Sequence, residues 1–204
     1  MGKSIAGYHF VGKTLRDGRP IPPDGEWLVH EGTVVPCESG LHASEHPYDA
    51  LRYAPGATLC LVELEGDLQS HGDPVDKWVG RRRRILARID ADKLLRRFAA
   101  DEALRMAHLW KMPAIVLEYL VTLDESKREA SRAASWEAST TSWAAKFAAN
   151  AASRAASCAA SAVSWTAGYA ASTAILTTDR ATSRENFKRR AEEAFAAARS
   201  FRLV

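Results

Sequence analysis

The sequence predicts an α+β fold, in which a small domain with a mixed or antiparallel sheet precedes an all-helical, alanine-rich C-terminal part. Seven of the eight prolines lie in residues 1–90, where short apolar runs alternate with Gly, Pro and Asp clusters as strands and loops do. Apolar residues at helical spacing begin near Asp90, and an eleven-residue repeat occupies residues 131–174. The predicted domains are therefore residues 1–90 and 91–204.

The first domain contains six segments with the composition of strands: Ala6–Val11, Glu26–His30, Thr33–Pro36, Leu41–Ala43, Thr58–Leu64 and Arg84–Ile89. Residues Arg16–Gly25 are predicted to form a loop, because prolines cannot pair within a central strand. A short helix is expected to start at His46-Pro47, with Ser44 as its N-cap and Pro55-Gly56 as its stop.

Three helical segments are predicted outside the repeat. The first is capped by Asp90 or Asp92 and carries leucines at helical spacing. The second follows Pro113 and is a largely apolar segment of ten residues, a length that leaves helix or buried strand open; the flanking helices favour helix. The third spans residues 183–201, where Ser183 offers a cap and an early acid and late arginines match the helix dipole.

The repeat reads four times without a gap, starting at Ser131, Ser142, Ser153 and Ser164. Eleven residues make almost three helical turns, so each column of the repeat stays on one helix face. Columns one, four and eight are all Ser or Ala, which gives a strip of small side chains suited to close packing. One helix of this length would span about 66 Å, whereas a globule of this size is about 43 Å across. We expect two or three packed helices, broken at Ser139–Ser142 and at Gly168, or one long helix buried in an oligomer.

Composition excludes several classes of protein. The chain has 28 basic and 25 acidic residues, and a net charge of +3 gives no reason to expect nucleic acid as a partner. It holds no run of about 18 apolar residues, so no membrane span is predicted. Cys37, Cys60 and Cys158 have neither disulfide nor zinc spacing, which favours a reducing cytoplasm, such as that of a bacterial host. His42, His46 and Asp49 match no metal template, and no metal is predicted.

The segment from Cys37 to Leu68 resembles a domain of unknown function that is scattered through phage and prophage genomes. That family shows a Cys-x-x-Gly-[Leu/Phe]-His-Ala strand, then a Pro-x-Asp-[Ala/Val]-[Leu/Phe] helix that ends in tyrosine. The matching residues here are Cys37, Gly40, Leu41, His42, Ala43, Pro47, Asp49, Ala50, Leu51 and Tyr53. The resemblance implies a phage-type accessory protein but brings no established activity.

The same segment is more distantly similar to the ADP-ribosyltransferase superfamily. That resemblance implies that His9 in the first strand holds a ribose, that His42 takes the position after the glycine, and that Tyr53 stacks on nicotinamide. NAD would then be the cofactor; otherwise none is expected. His9 lacks the Gly-Thr or Gly-Ser that follows it in that superfamily, and Glu63 and Glu118 are guesses for the missing catalytic glutamate.

Each of these side chains also has a structural interpretation. His42 could be a satisfied core histidine, and Tyr53 could pack at a helix end. In the run Arg81–Arg84, alternation places Arg82 and Arg84 on one strand face, where they either line a solvated sheet edge or steer phosphates.

Two functions follow from the sequence, and it leaves open whether the protein is an enzyme. The first is an accessory protein that binds a partner, either a protein or a second copy through the helical tail, or a small nucleotide. The alternative is an ADP-ribosyltransferase-like enzyme that binds NAD or another nucleotide through His9, His42 and Tyr53. The first function is favoured, because the sequence does not identify a catalytic carboxylate.

Overall fold

The computed structural model describes residues 3–138, 148–153, 155 and 180–201. It confirms the α+β class, with antiparallel sheets in the N-terminal part and helices in the C-terminal part. The chain divides into two compact units, one made of Met1–Ala91 with Lys188–Val204 and the other of Asp92–Phe187.

The first unit contains two antiparallel sheets. The seven strands are β1 (Ser4–Val11), β2 (Trp27–Val29), β3 (Leu41–Ala43), β4 (Thr58–Glu65), β5 (Gln69–His71), β6 (Lys77–Gly80) and β7 (Arg82–Asp90). One sheet has the order β1-β4-β7-β2 and the other the order β3-β6-β5. A bridge between Tyr8 and Ser44 joins β1 to the end of β3, with N–H···O distances of 2.7 and 2.9 Å. The two sheets are therefore connected at the residues that follow β3.

Alternation along the strands sets which side chains enter the core of this unit. Residues directly opposite in an antiparallel pair share a sheet face, and β1 and β4 pair Ile5 with Leu64 and His9 with Cys60. The inner face carries the apolar core cluster, whose buried members are Val11, Ala43, Cys60, Val62, Leu64 and Ile85. On the opposite face the Tyr8 ring lies 6.2 Å from that of Phe195, between ring centroids. The sheet is thus covered on both faces within the first unit.

The short helix α1 (Pro47–Leu51) follows β3 and is buried along its whole length. Its N-cap is His46, whose Nδ1 accepts the backbone N–H of Tyr48 at 3.1 Å. The prediction that Ser44 caps this helix is therefore wrong: the Ser44 backbone is paired with Tyr8, which leaves the capping position two residues further on. The side chain of His46 is itself buried.

All the regular secondary structure in the described residues of the second unit is helical. Its elements are α2 (Asp92–Arg105), a 3₁₀ turn (Ala107–Leu109), α3 (Ala114–Thr122), a second 3₁₀ turn (Glu125–Lys127) and α4 (Arg128–Ala138). The predicted choice of helix over strand after Pro113 is confirmed, since Pro113 is the N-cap of α3. In the last helix, α5 (Arg180–Phe201), the ring of Phe187 meets that of Phe98 with 4.9 Å between centroids. Among the described helices, none has both the length and the apolar character needed to cross a bilayer.

The prediction that Ser183 caps α5 is wrong. Ser183 lies three residues inside the helix and is fully buried. Its hydroxyl donates to Oε2 of Glu102 at 2.5 Å and accepts from Nη1 of Arg105 at 3.1 Å. A serine within a helix is thus used for a buried polar contact, which no local sequence pattern reveals.

The described part of the repeat is helical at residues 131–138, 148–153 and 155. Ser131 and Ala149, which belong to the predicted strip of small side chains, are buried, whereas Trp136 on the other face is 71% exposed. The predicted breaks at Ser139–Ser142 and Gly168 lie outside the described residues.

Candidate ligand-binding pocket

His9 lies on the inner face of β1, on the side of the sheet that carries Cys60. Part of its imidazole surface remains accessible, because His9 lines a pocket in the first unit. Burial, together with the nearby charge of Arg83, holds the pKa of His9 well below its usual range. At neutral pH this imidazole is therefore uncharged, and it can both donate and accept a hydrogen bond.

His42 lies in β3, opposite Val79 of β6. Its carbonyl accepts a 2.6 Å hydrogen bond from Nη1 of Arg83, and its own Nε2 is buried without a hydrogen-bond partner among the described residues. Burial lowers the pKa of His42 to about 4, assisted by the charges of Lys77 and Arg83. The interpretation of His42 as a satisfied core histidine does not fit an imidazole nitrogen that lacks a partner.

Tyr53 follows α1 by two residues and is 44% exposed, so it is not the packed helix-end residue of the structural interpretation. Its hydroxyl donates to Oδ2 of Asp76 at 2.8 Å. Burial and this hydrogen bond raise the pKa of the Tyr53 phenol. The hydroxyl is therefore anchored, and the partly exposed ring carries the Lys77 ammonium at 4.2 Å and the Arg52 guanidinium carbon at 5.8 Å from its centroid.

These three side chains line one pocket of about 340 Å³ within the first unit. Residues that the sequence separates by 44 positions are brought together because β1, β3 and the end of α1 are neighbours. The full lining consists of Tyr8, His9, Arg16, Cys37, His42, Ala43, Ser44, Ala50, Tyr53 and Lys77. The lining therefore includes two cationic side chains and no carboxylate.

Lys77 is the pocket residue that sequence reasoning missed. It is only 8% exposed, its Nζ lies 4.2 Å from the centroid of the Tyr53 ring, and none of the described acidic side chains forms an ion pair with it. A largely buried lysine whose ammonium has no counter-ion among the described residues favours a ligand that supplies negative charge. No local pattern marks Lys77, because it reaches the pocket through the pairing of β6 with β3.

Cys37 lies at the same pocket, in a backbone conformation that is unusual for a residue other than glycine (φ 67°). Its Sγ is 3.3 Å from Nε2 of His71, and both side chains are exposed. The sequence singled out Cys37 as a motif residue but gave no reason to pair it with His71, which comes from β5.

Arg82 and Arg84 do not reach this pocket. They lie together on one face of β7, as alternation predicted, where Arg82 pairs with Glu65 and Arg84 pairs with Glu63 at 2.7 Å. Their guanidinium carbons lie 4.9 and 4.7 Å from the centroid of the Trp27 ring. The strand is not a sheet edge, since β7 runs between β4 and β2. The solvated-edge interpretation is therefore wrong, and these arginines join neighbouring strands.

Neither suggested glutamate lines the pocket. Glu63 is held by Arg84, and Glu118 lies in the second unit, where it pairs with Lys127. Among the described residues, no three His, Cys, Asp or Glu side chains are grouped so that they could hold a metal ion.

One comparison with known proteins gives a match. The model of a family described as a domain of unknown function (DUF7666) matches residues 5–97, a range that contains every residue lining the pocket. No curated protein and no solved structure matches the chain. The N-terminal part of this protein, residues 5–97, is thus a DUF7666 domain.

Proposed function

We propose that this protein is a binding protein whose DUF7666 domain holds a small nucleotide in the pocket of His9, His42 and Tyr53. The observation that carries the proposal is the convergence of these three side chains with Lys77 on one cavity. Sugars, bases and phosphates require different contacts, and this pocket supplies neutral imidazoles, an aromatic face and cations side by side.

The charge of the lining favours an anionic ligand. Lys77 and Arg16 contribute two positive charges, and Arg83 lies close enough to lower the pKa of both histidines. With no acidic side chain in the lining, a phosphate would enter without repulsion. Lys77 is the buried cation and would contact the phosphate directly, whereas Arg16 is exposed and would attract it from solvent.

The Tyr53 ring and the two imidazoles suit the rest of a nucleotide. The Tyr53 ring is held by its hydroxyl and is 44% exposed, so the part of its surface that Lys77 does not cover can contact a base or a nicotinamide ring. The imidazoles of His9 and His42 line the cavity and offer uncharged hydrogen-bonding groups for a ribose hydroxyl. A volume of about 340 Å³ is at the small end of ligand pockets, which run from about 300 to 1,000 Å³. We therefore expect a mononucleotide, or one half of a dinucleotide, to fill it.

Binding without transfer is the version that the lining supports. Breaking the glycosidic bond of NAD passes through a cationic sugar that a carboxylate stabilises, and no carboxylate lines this pocket. The ADP-ribosyltransferase-like alternative would need a glutamate from outside the described lining. Measuring nicotinamide release from NAD distinguishes this enzyme from a protein that only binds the nucleotide.

The experiment is a calorimetric and thermal-shift titration with AMP, ADP-ribose and NAD, with adenosine as the uncharged comparison. A ligand at about 100 times its dissociation constant raises the unfolding free energy by about 2.7 kcal/mol. We expect AMP to bind more tightly than adenosine, and Tyr53→Ala to weaken both. Val121→Ala, which truncates an exposed apolar side chain in α3, is the matched control and should leave binding unchanged. Equal shifts for all four compounds in the parent and Tyr53→Ala proteins would refute the proposal.

The alanine-rich tail carries the second part of the proposed function, which is to bind a protein partner or a second copy of the chain. Its support is the exposed Trp136 ring on α4, whose opposite face buries Ser131 and Ser135. If the tail joins two copies, light scattering after gel filtration will give a mass of about twice 22.3 kDa, and Trp136→Ala will shift it towards one copy.

A further inference from the structure

We propose that Cys37 is a nucleophilic thiol with His71 as its proton acceptor, and that the pocket directs to it an electrophile carrying a negative charge. This goes beyond nucleotide binding, because it assigns covalent chemistry to the DUF7666 domain. It uses the same pocket but does not require a nucleotide, so the two proposals can fail separately.

The first support is the contact between the two side chains. The Sγ of Cys37 lies 3.3 Å from Nε2 of His71, which is hydrogen-bond distance for sulfur. With the ring proton on Nδ1, Nε2 accepts the thiol proton and leaves a thiolate, the nucleophilic form of cysteine. A nucleophile beside a base is the arrangement that thiol-dependent reactions use.

A second, independent observation indicates the charge of the ligand. Lys77 is nine-tenths buried, has no ion pair among the described residues and lines the same pocket as Cys37. Arg16 adds a second cation to the lining, and no carboxylate opposes them. An anionic group bound here would place the rest of a small molecule next to the thiol.

The described cysteines differ sharply in their surroundings. Cys60 is fully buried in the core of the sheet, and burial raises its pKa to about 11. Its thiol is therefore protonated and inaccessible in the folded protein. Cys37 is exposed at the pocket, so selective reaction at Cys37 is a property of the folded domain.

The reaction is a nucleophilic displacement. The Cys37 proton passes to Nε2 of His71, and the thiolate sulfur forms a bond with the electrophilic carbon. The bond from that carbon to its leaving group breaks, and the leaving group departs with the electron pair. No oxidant or reductant is needed.

The test compares iodoacetate with iodoacetamide on the full chain, since the two reagents share the same carbon and leaving group but differ in charge. Rates at each cysteine are read by peptide mass spectrometry, with glutathione measured in parallel. We expect the ratio of the iodoacetate rate to the iodoacetamide rate to be about tenfold higher at Cys37 than in glutathione. Lys77→Met should return this ratio to the glutathione value, and the exposed Arg16→Ala should lower it.

His71→Asn tests the base separately. It should slow both reagents at Cys37 by about tenfold or more while the ratio stays high, because the base acts on the thiol and the cations act on the reagent. Alkylation of the buried Cys60 identifies any variant that unfolds. If Lys77→Met unfolds, the iodoacetate-to-iodoacetamide ratio of Arg16→Ala provides the test of the charge effect. A parent ratio equal to that of glutathione, or an unchanged rate in His71→Asn, would overturn the proposal, whether or not AMP binds.

Discussion

The ammonium nitrogen of Lys77 lies 4.2 Å from the centre of the Tyr53 ring, so a positive charge and an aromatic ring meet inside one pocket. A contact of this type contributes about 0.5 to 1 kcal/mol at an exposed site and about 2 kcal/mol when desolvated, and it offsets part of the cost of withdrawing Lys77 from water. The remaining cost is what an anionic ligand would relieve. Tyr53 is fixed in turn by Asp76, whose carboxylate accepts its hydroxyl.

Replacing Lys77 should therefore affect binding far more than stability. In Lys77→Met the apolar stem is kept and the uncompensated charge is removed. We expect the unfolding free energy to change by less than about 1 kcal/mol and the affinity for AMP to fall at least about tenfold. Urea unfolding and calorimetry measure the two quantities. Lys93→Met, at an exposed position of α2, is the control; an equal loss of affinity there would contradict this assignment.

Two adjacent arginines of β7 should differ strongly in their contribution to stability. Arg83 is buried on the inner face, and its guanidinium donates to the carbonyl of His42, which ties β3 to the large sheet. Burial lowers the pKa of Arg83 to about 10. Arg83→Ala leaves that carbonyl without its donor and opens a cavity, so we expect a loss of about 2 to 4 kcal/mol.

The matched control is Arg82→Ala, on the other face of the same strand, where the side chain is half exposed and pairs with Glu65. An exposed ion pair contributes about 1 kcal/mol or less. Chemical denaturation of the two variants gives the comparison, and equal losses would show that Arg83 does not fix β3.

Ser183 should be important for the helical unit although it is a small polar residue. Its hydroxyl links the buried carboxylate of Glu102 to Arg105. Ser183→Ala removes a donor from a buried charge, so we expect a loss of about 1 to 3 kcal/mol, measured by thermal or urea unfolding. Ser70→Ala changes an exposed serine in β5 and should cost less than about 0.5 kcal/mol. Equal effects at the two positions would rule out the buried network.

Stability should decrease as the pH falls below neutrality, because two pocket histidines resist protonation. The pKa of His42 is about 4 in the folded protein and near 6.5 in an unfolded chain. Between these values the unfolded state binds a proton that the folded state does not, so each step to lower pH favours unfolding. His9 acts in the same direction. For His42 we expect a loss of about 1 to 2 kcal/mol between about pH 7 and pH 5.

Urea midpoints recorded at the two pH values measure this effect. His42→Gln should flatten the dependence, since the glutamine does not titrate, whereas His108→Gln, at an exposed site in the helical unit, should leave it unchanged. Identical pH dependence in the parent protein and His42→Gln would contradict the assignment of a lowered pKa.

Strong local patterns explain which elements the sequence could predict. β1, β4 and β7 contain apolar runs that are separated by Gly, Pro and Asp clusters, and all three were predicted from that composition, as Ala6–Val11, Thr58–Leu64 and Arg84–Ile89. β5 and β6 were missed, because Gln69–His71 is wholly exposed and Lys77–Gly80 is only four residues long. Thr33–Pro36 was wrongly predicted as a strand: Val35 makes an isolated bridge to Ser39, and the chain turns there instead.

The residues of the site also fall into those that the sequence could predict and those that it could not. His9, His42 and Tyr53 were predicted from a family resemblance, and the fold does bring them to one pocket. Lys77 and His71 belong to the small sheet whose strands were missed, so their proximity to Cys37 and Tyr53 depends on pairings that no short motif encodes. Contacts that depend on strand order remain invisible until the topology is known.

The alternating arginines of β7 also protect the strand against mispairing. A slip of a single position would rotate three guanidinium groups at once, sending Arg82 and Arg84 into the apolar interior and expelling Arg83 from it. The inward turn of Arg82 and Arg84 would bury two charges without compensation and would leave Glu63 and Glu65 without their partners. The arrangement therefore disfavours errors of strand register during folding, because a shifted pairing is less stable than the native one.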